Sequence, residues 1–154
     1  MKKSKFSIAR KDEEMVELVS KTNHKILARW AIDCAERVMP YFEETYPQDP
    51  RPRQAIETLK TWIDTGVFKM AVIRKASLDS HAAARDVGED SPARSAAHAA
   101  GQAVATAHVP RHAYGPAIYA QQAIYRATNS MEAAERERNW QYQHLLHLTG
   151  LPLG

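Results

Sequence analysis

The sequence predicts an all-α fold: a single compact bundle of roughly six to seven helices, meeting at irregular or orthogonal angles around a tightly packed, alanine-rich core. Three observations carry this expectation. Apolar residues recur at three- and four-residue steps along most of the chain, which is the period of one helix face. Alanine fills 17 of the 52 positions from Ala76 to Ala127; it combines the best helix propensity with little area to bury, so helices rich in it must approach closely to exclude water. The one segment with strand-like composition, "VFKMAVIR" from Val67 to Arg74, has no second strand to pair with.

The elements follow in order. Asp12 is placed to cap a short helix "EEMVELVSK", with acids in the first turn where the helix dipole favours them. A second helix starts near Thr22 or Asn23 and buries Leu27, Trp30, Cys34, Val38, Tyr41 and Phe42. Pro40 falls inside that stripe, which predicts a kink or break near Val38. "YPQDPRPR", Tyr46 to Arg53, has three prolines in eight residues and reads as a connection. A third helix runs from about Arg53 to Asp64, with Ile56, Leu59, Trp62 and Ile63 inward and Gly66 as its stop. "VFKMAVIR" is assigned to a fourth helix, because Met70, Ile73, Ser77, Ser80, His81 and Ala84 continue one face. Ser91 and Pro92 form the cap and first-turn proline of the next helix. The last helix runs from about Ser130 to Leu148, with Glu132 and Arg136 on a solvated face and Trp140, Leu145 and Leu146 as anchors.

Composition limits the function. At 154 residues, with 44% hydrophobic and 25% charged residues, the chain is sized for one globular domain and is too apolar for a disordered one. A single cysteine, Cys34, cannot form an internal disulfide, so a cytoplasmic setting is expected. No apolar run is long enough to span a bilayer, and no signal peptide is expected. Residues 1–11 hold Lys2, Lys3, Lys5, Arg10 and Lys11 with no acid, leaving 16 bases against 18 acids in the remainder. The chain therefore reads as a flexible basic tail, 1–11, and one helical domain, 12–154. With a nearly neutral body, nucleic-acid binding is not expected, and neither is an inhibitor that mimics nucleic acid with a concentrated acidic face.

His98, Gly101, Ala105, His108, His112, Gly115 and Tyr119 follow each other at alternating steps of three and four, so a continuous helix would align them in one seam. Pro110 interrupts the backbone between His108 and His112, and a bend is expected there. Two glycines on the line suggest another helix crossing close, with the imidazoles bonded to its backbone or carboxylates. On this reading His81, Arg85, His98, His108, His112 and Asp33 form a structural polar core. The sharper alternative is a metal site, since His108 and His112 have the spacing to share an ion, with His98 or His81 as a third ligand. No glutamate follows His108 as the zinc-protease motif needs, and arginine occupies position 111, so the structural reading is preferred and no cofactor is expected.

Catalytic readings find less support. Cys34 lies on an apolar stripe with Trp30 and Val38, as a small buried hydrophobe does. Asp33 and Arg37, four apart, read as an ion pair on one helix. Glu43 and Glu44 are adjacent and point about 100° apart on a helix, so they cannot act on one substrate atom as an acid–base pair. Phosphate loops, nucleophile elbows and paired cysteine motifs do not occur in the sequence.

"HKILARWAIDCAERVMPYFEETYPQDPRPRQAIETLKTW" from His24, followed by "SHAAAR" and "AAGQAVATAHVPRHAYGPAIYA", resembles the bacterial immunity proteins of polymorphic toxin systems over roughly residues 22 to 126. The distinctive positions are Trp30, Asp33 to Glu36, Arg51–Pro52, His81 with Arg85, and Gly101, Thr106, Ala107, His108 and His112. The resemblance implies a small all-α protein that binds and neutralises a cognate toxin protein, with no catalytic residues of its own. Such a role needs a rigid complementary surface with a few aromatic or arginine anchors, for which Tyr41, Tyr46, Tyr114 and Tyr119 are the candidates. Two other readings compete: a metal-dependent enzyme built on His98, His108 and His112, and a nucleic-acid accessory protein using the basic tail. A homodimer is a further arrangement the sequence admits.

Overall fold

The computed structural model describes residues 12–150, and within them the chain forms eight α-helices, one 3₁₀ turn and no strand. The expected tail, 1–11, lies outside the described residues. Capping chemistry sets most boundaries. In α1 (Glu13–Ser20) the Asp12 carboxylate accepts from the Met15 amide at 3.2 Å. In α2 (His24–Glu36) the Asn23 side chain accepts from the Ile26 amide at 2.9 Å. The second apolar stripe breaks at Arg37 and Val38 and resumes as the short α3 (Met39–Glu43), with Pro40 in the first turn, where its missing amide costs nothing. That division is one reason the bundle has eight α-helices where six to seven were expected.

α4 (Arg51–Thr65) begins two residues earlier than the proline spacing suggests, because Pro52 also fits a helical first turn; Gly66, at φ +72°, ends it. α5 (Met70–Val87) confirms the helical assignment of the ambiguous segment, while Val67 to Lys69 stay outside it. Its inner face holds Ile73, Ser80, Ala83 and Ala84; Met70, expected inward, is exposed. Ser91 caps α6 (Pro92–Ala105) by accepting from the Arg94 amide at 3.2 Å. A 3₁₀ turn at Pro110–Ala113 leads into α7 (Tyr114–Thr128), and Ser130 caps α8 (Met131–Thr149).

α6 is the central rod. It packs most extensively on α5 and α7 and also touches α2, α3 and α4. Seven of its buried positions are Ala or Gly, so its neighbours come close. A Cβ added at Gly101 would lie 2.8 Å from Nε2 of His81 on α5, and one at Gly115 would lie 2.9 Å from the Gln102 side chain. Hydroxyls reinforce the α5–α6 seam: Ser77 Oγ donates to the Gly101 carbonyl at 2.9 Å and Ser80 Oγ to the Ala97 carbonyl at 2.7 Å. Larger side chains, among them Trp30, Phe42, Leu27, Ile56 and Leu59, fill the rest of the core. Its buried amide is satisfied throughout: the Gln141 carbonyl accepts from Trp30 Nε1, its side chain donates to the Ala117 carbonyl, and its Oε1 accepts from Gln121.

Candidate protein-binding surface

The histidine seam is divided in the structure. His81 and His98 meet through their Nδ1 atoms at 2.7 Å, and Tyr119 stacks on His98 with ring centroids 5.1 Å apart. The partner of His98 is thus another imidazole, in place of the expected backbone or carboxylate. Burial, then the neighbouring His81, Arg94, Arg126 and Arg85, pushes His98 down to about 4, and burial followed by Arg85 lowers His81 as well. Both rings are neutral at pH 7, so one donates and the other accepts. His108 and His112 do not belong to this polar core. The helix ends at Ala105, Val109 is extended, and the turn at Pro110 carries both rings to the surface, where His108 stacks on Phe68 at 6.0 Å. Arg85, also expected in the core, is exposed because it projects from the solvent side of α5. His98, His108 and His112 are not brought together, and no group of three metal-ligating side chains occurs among the described residues.

Asp33 and Arg37 do not pair with each other; each reaches α8. His144 Nε2 lies 2.7 Å from Asp33 Oδ2, and Arg37 grips Glu137 with two hydrogen bonds of 2.7 and 3.0 Å. The Arg37 guanidinium also covers Trp140 at 3.7 Å, and Trp140 stacks on His144 at 4.6 Å. Asp33 and His144 resemble the carboxylate–imidazole half of a general-base pair. Beside Asp33 in sequence, however, Cys34 is fully buried, and burial followed by the nearby Glu137 and Asp33 raises its thiol well above the usual range. This cluster therefore orients α8 on α2.

Tyr41, Tyr46, Tyr114 and Tyr119 are all half-buried and pack against the core. The exposed large hydrophobic side chains lie elsewhere. Val67, Phe68, Met70 and Val72 are 59, 42, 37 and 51% exposed around the start of α5, with Leu78 further along the same helix. Beside them a shallow groove of about 440 Å³ runs between α4 and α5, walled by Thr58, Thr61, Trp62 and Thr65 on one side and Val67, Lys69, Val72 and Ile73 on the other. Thr58, Thr61 and Thr65 each donate their hydroxyl to the carbonyl four residues back, so those protons are committed within α4. Contiguous apolar exposure of this kind marks interaction surfaces. The sequence carried the signal: "VFKMAV" holds more large apolar residues than one helix face can bury.

No helix among the described residues is long and apolar enough to cross a membrane. No curated protein and no solved structure matches the chain. Residues 17–148 match the family model described as Imm-5 like putative immunity protein.

Proposed function

The chain belongs to the Imm-5 like putative immunity protein family, and from that premise we propose that it binds a toxin protein and neutralises it in the cytoplasm of the cell that makes both, without catalysis of its own. The observation that carries the reading is the apolar surface at Val67, Phe68, Met70 and Val72, beside the α4–α5 groove. Each of these four large apolar side chains leaves more than a third of its surface in water. They supply the desolvated centre that a specific interface requires. The four tyrosines considered as anchors are half-buried against the core, which leaves the Phe68 surface as the better candidate. A rigid scaffold behind it supports tight binding, because little conformational freedom is lost on association.

Co-expression with the toxin encoded beside this chain's gene tests the proposal. Growth should be restored and a complex should co-purify, whereas a V67D/V72D variant, altered at two groove positions that are more than half exposed and with a thermal midpoint close to that of the unaltered chain, should lose both. Absence of rescue and of complex for the unaltered chain refutes the reading.

A further inference from the structure

We infer that the toxin face received by the α4–α5 groove is acidic: an apolar ridge flanked by carboxylates, as on one side of an amphipathic helix. The inference rests on the toxin-binding reading above and adds the chemistry of the partner. It comes from the distribution of charge around the apolar surface.

From Thr61 to Leu78 the chain has one carboxylate, Asp64, and three bases, Lys69, Arg74 and Lys75. Lys75 is answered by Asp79 at 2.7 Å, and Lys60, further back on α4, by Glu57 at 3.3 Å. Lys69 and Arg74 are exposed and form no ion pair among the described residues, although Lys69 itself walls the groove. α2 adds positive charge to the same rim. Lys25 of α2 lies over the Trp62 ring at 4.9 Å and donates to the Ile63 carbonyl at 2.7 Å, at the end of α4. His108 adds only a ring contact, to Phe68 at 6.0 Å. Asp64 is the opposing charge.

An apolar centre with an unanswered cationic rim selects a partner of opposite potential, chiefly by speeding encounter and rejecting like-charged faces. A second copy of this chain is disfavoured on this face, since a two-fold interface would bring Lys69 and Arg74 toward their own counterparts. The groove is concave and accepts a protruding ridge, which a bilayer does not offer. Helix-in-groove recognition, with apolar anchors at helical spacing, fits its shape between two rods.

The test measures association of the co-expressed toxin with the unaltered chain and with K69E/R74E, at low and at high salt. Both positions are exposed, so thermal midpoints check that the fold is unchanged. The expected result is an association rate at least tenfold slower for K69E/R74E at low salt, a gap that closes in concentrated salt, and a dissociation rate within about threefold of the original. A toxin that binds K69E/R74E at the original rate refutes the acidic-face inference and leaves the toxin reading intact. Failure of the unaltered chain to bind removes both. In parallel, vesicles rich in phosphatidylserine, duplex DNA and the chain alone in sedimentation serve as competing occupants. Binding or dimerisation in any of these, abolished by K69E/R74E while toxin binding persists, overturns the inference in favour of that occupant.

Discussion

Replacing Gly101 by alanine should destabilise the protein, although alanine is the better helix former by about 1 kcal/mol in an ordinary helix interior. The new methyl would sit 2.8 Å from Nε2 of His81 and 2.9 Å from its Cδ2 and Cε1. Those are ring atoms at the end of a side chain, which could swing aside if free. They are not free: Nδ1 is held by His98 at 2.7 Å, and His98 is stacked under Tyr119. Overpacking in a constrained site costs about 1 to 3 kcal/mol, which exceeds the propensity gain and leaves a net loss of about 1 kcal/mol. Removing the obstacle reverses the sign. In an H81A background G101A should be neutral or stabilising by up to about 1 kcal/mol, so the two substitutions couple by about 2 kcal/mol. Urea denaturation of the four proteins, compared at unchanged slope, measures the cycle. Equal effects of G101A in both backgrounds would show that the His81 ring does not bear on α6, and the account of the α5–α6 seam would fall.

Acid should weaken the same seam. The folded protein holds His98 at about 4 against an ordinary value of 6.5, so the unfolded chain binds this proton first and stability falls as pH drops from 6.5 toward 4, then levels off. Because the ring is only half-buried, the contribution is discounted to about 1 to 2 kcal/mol over that window. Denaturation midpoints of the unaltered chain and H98N across pH 4 to 7 should diverge accordingly, and parallel curves would contradict it. Removing Arg37 strands the Glu137 carboxylate, whose side chain is only 6% exposed. R37A should cost about 2 to 3 kcal/mol and shift Trp140 fluorescence, since the guanidinium no longer covers the indole. F68A removes a ring that is more than half covered and stacked on His108, so it should cost about 1 to 2 kcal/mol of stability, while weakening toxin binding by tenfold or more in titration calorimetry.

Local chemistry was the part of this molecule legible in its sequence. The caps at Asp12 and Ser91, the stop at Gly66 and the break before Pro40 depend on a few neighbouring residues, and the structure places each where the pattern indicates, while of the two starts open for α2, Thr22 and Asn23, it selects Asn23. The seam from His98 to Tyr119 failed as a continuous line because its spacing holds only while the helix does, and the helix ends at Ala105. Asp33 and Arg37 show a different limit. Their four-residue spacing suits a pair, yet His144 engages Asp33 and Glu137 engages Arg37, long-range partners that spacing along the chain cannot reveal. The groove is a tertiary product as well: whether Val67 and Val72 are buried depends on what α4 leaves uncovered.

The serine hydroxyls of α5 have a consequence for how recognition could diversify. Ser77 and Ser80 sit nearly one turn apart, and each is tied to a specific carbonyl of the central rod. Two such pins resist both sliding and rolling of α5 on the central rod. The outward letters of α5 at positions 72, 74 and 78 can then be rewritten singly, with each new side chain projecting from nearly the same point in space. On the proposed reading, a change of partner would be written along this strip and the Val67–Phe68 segment before it, with the interior mould left untouched.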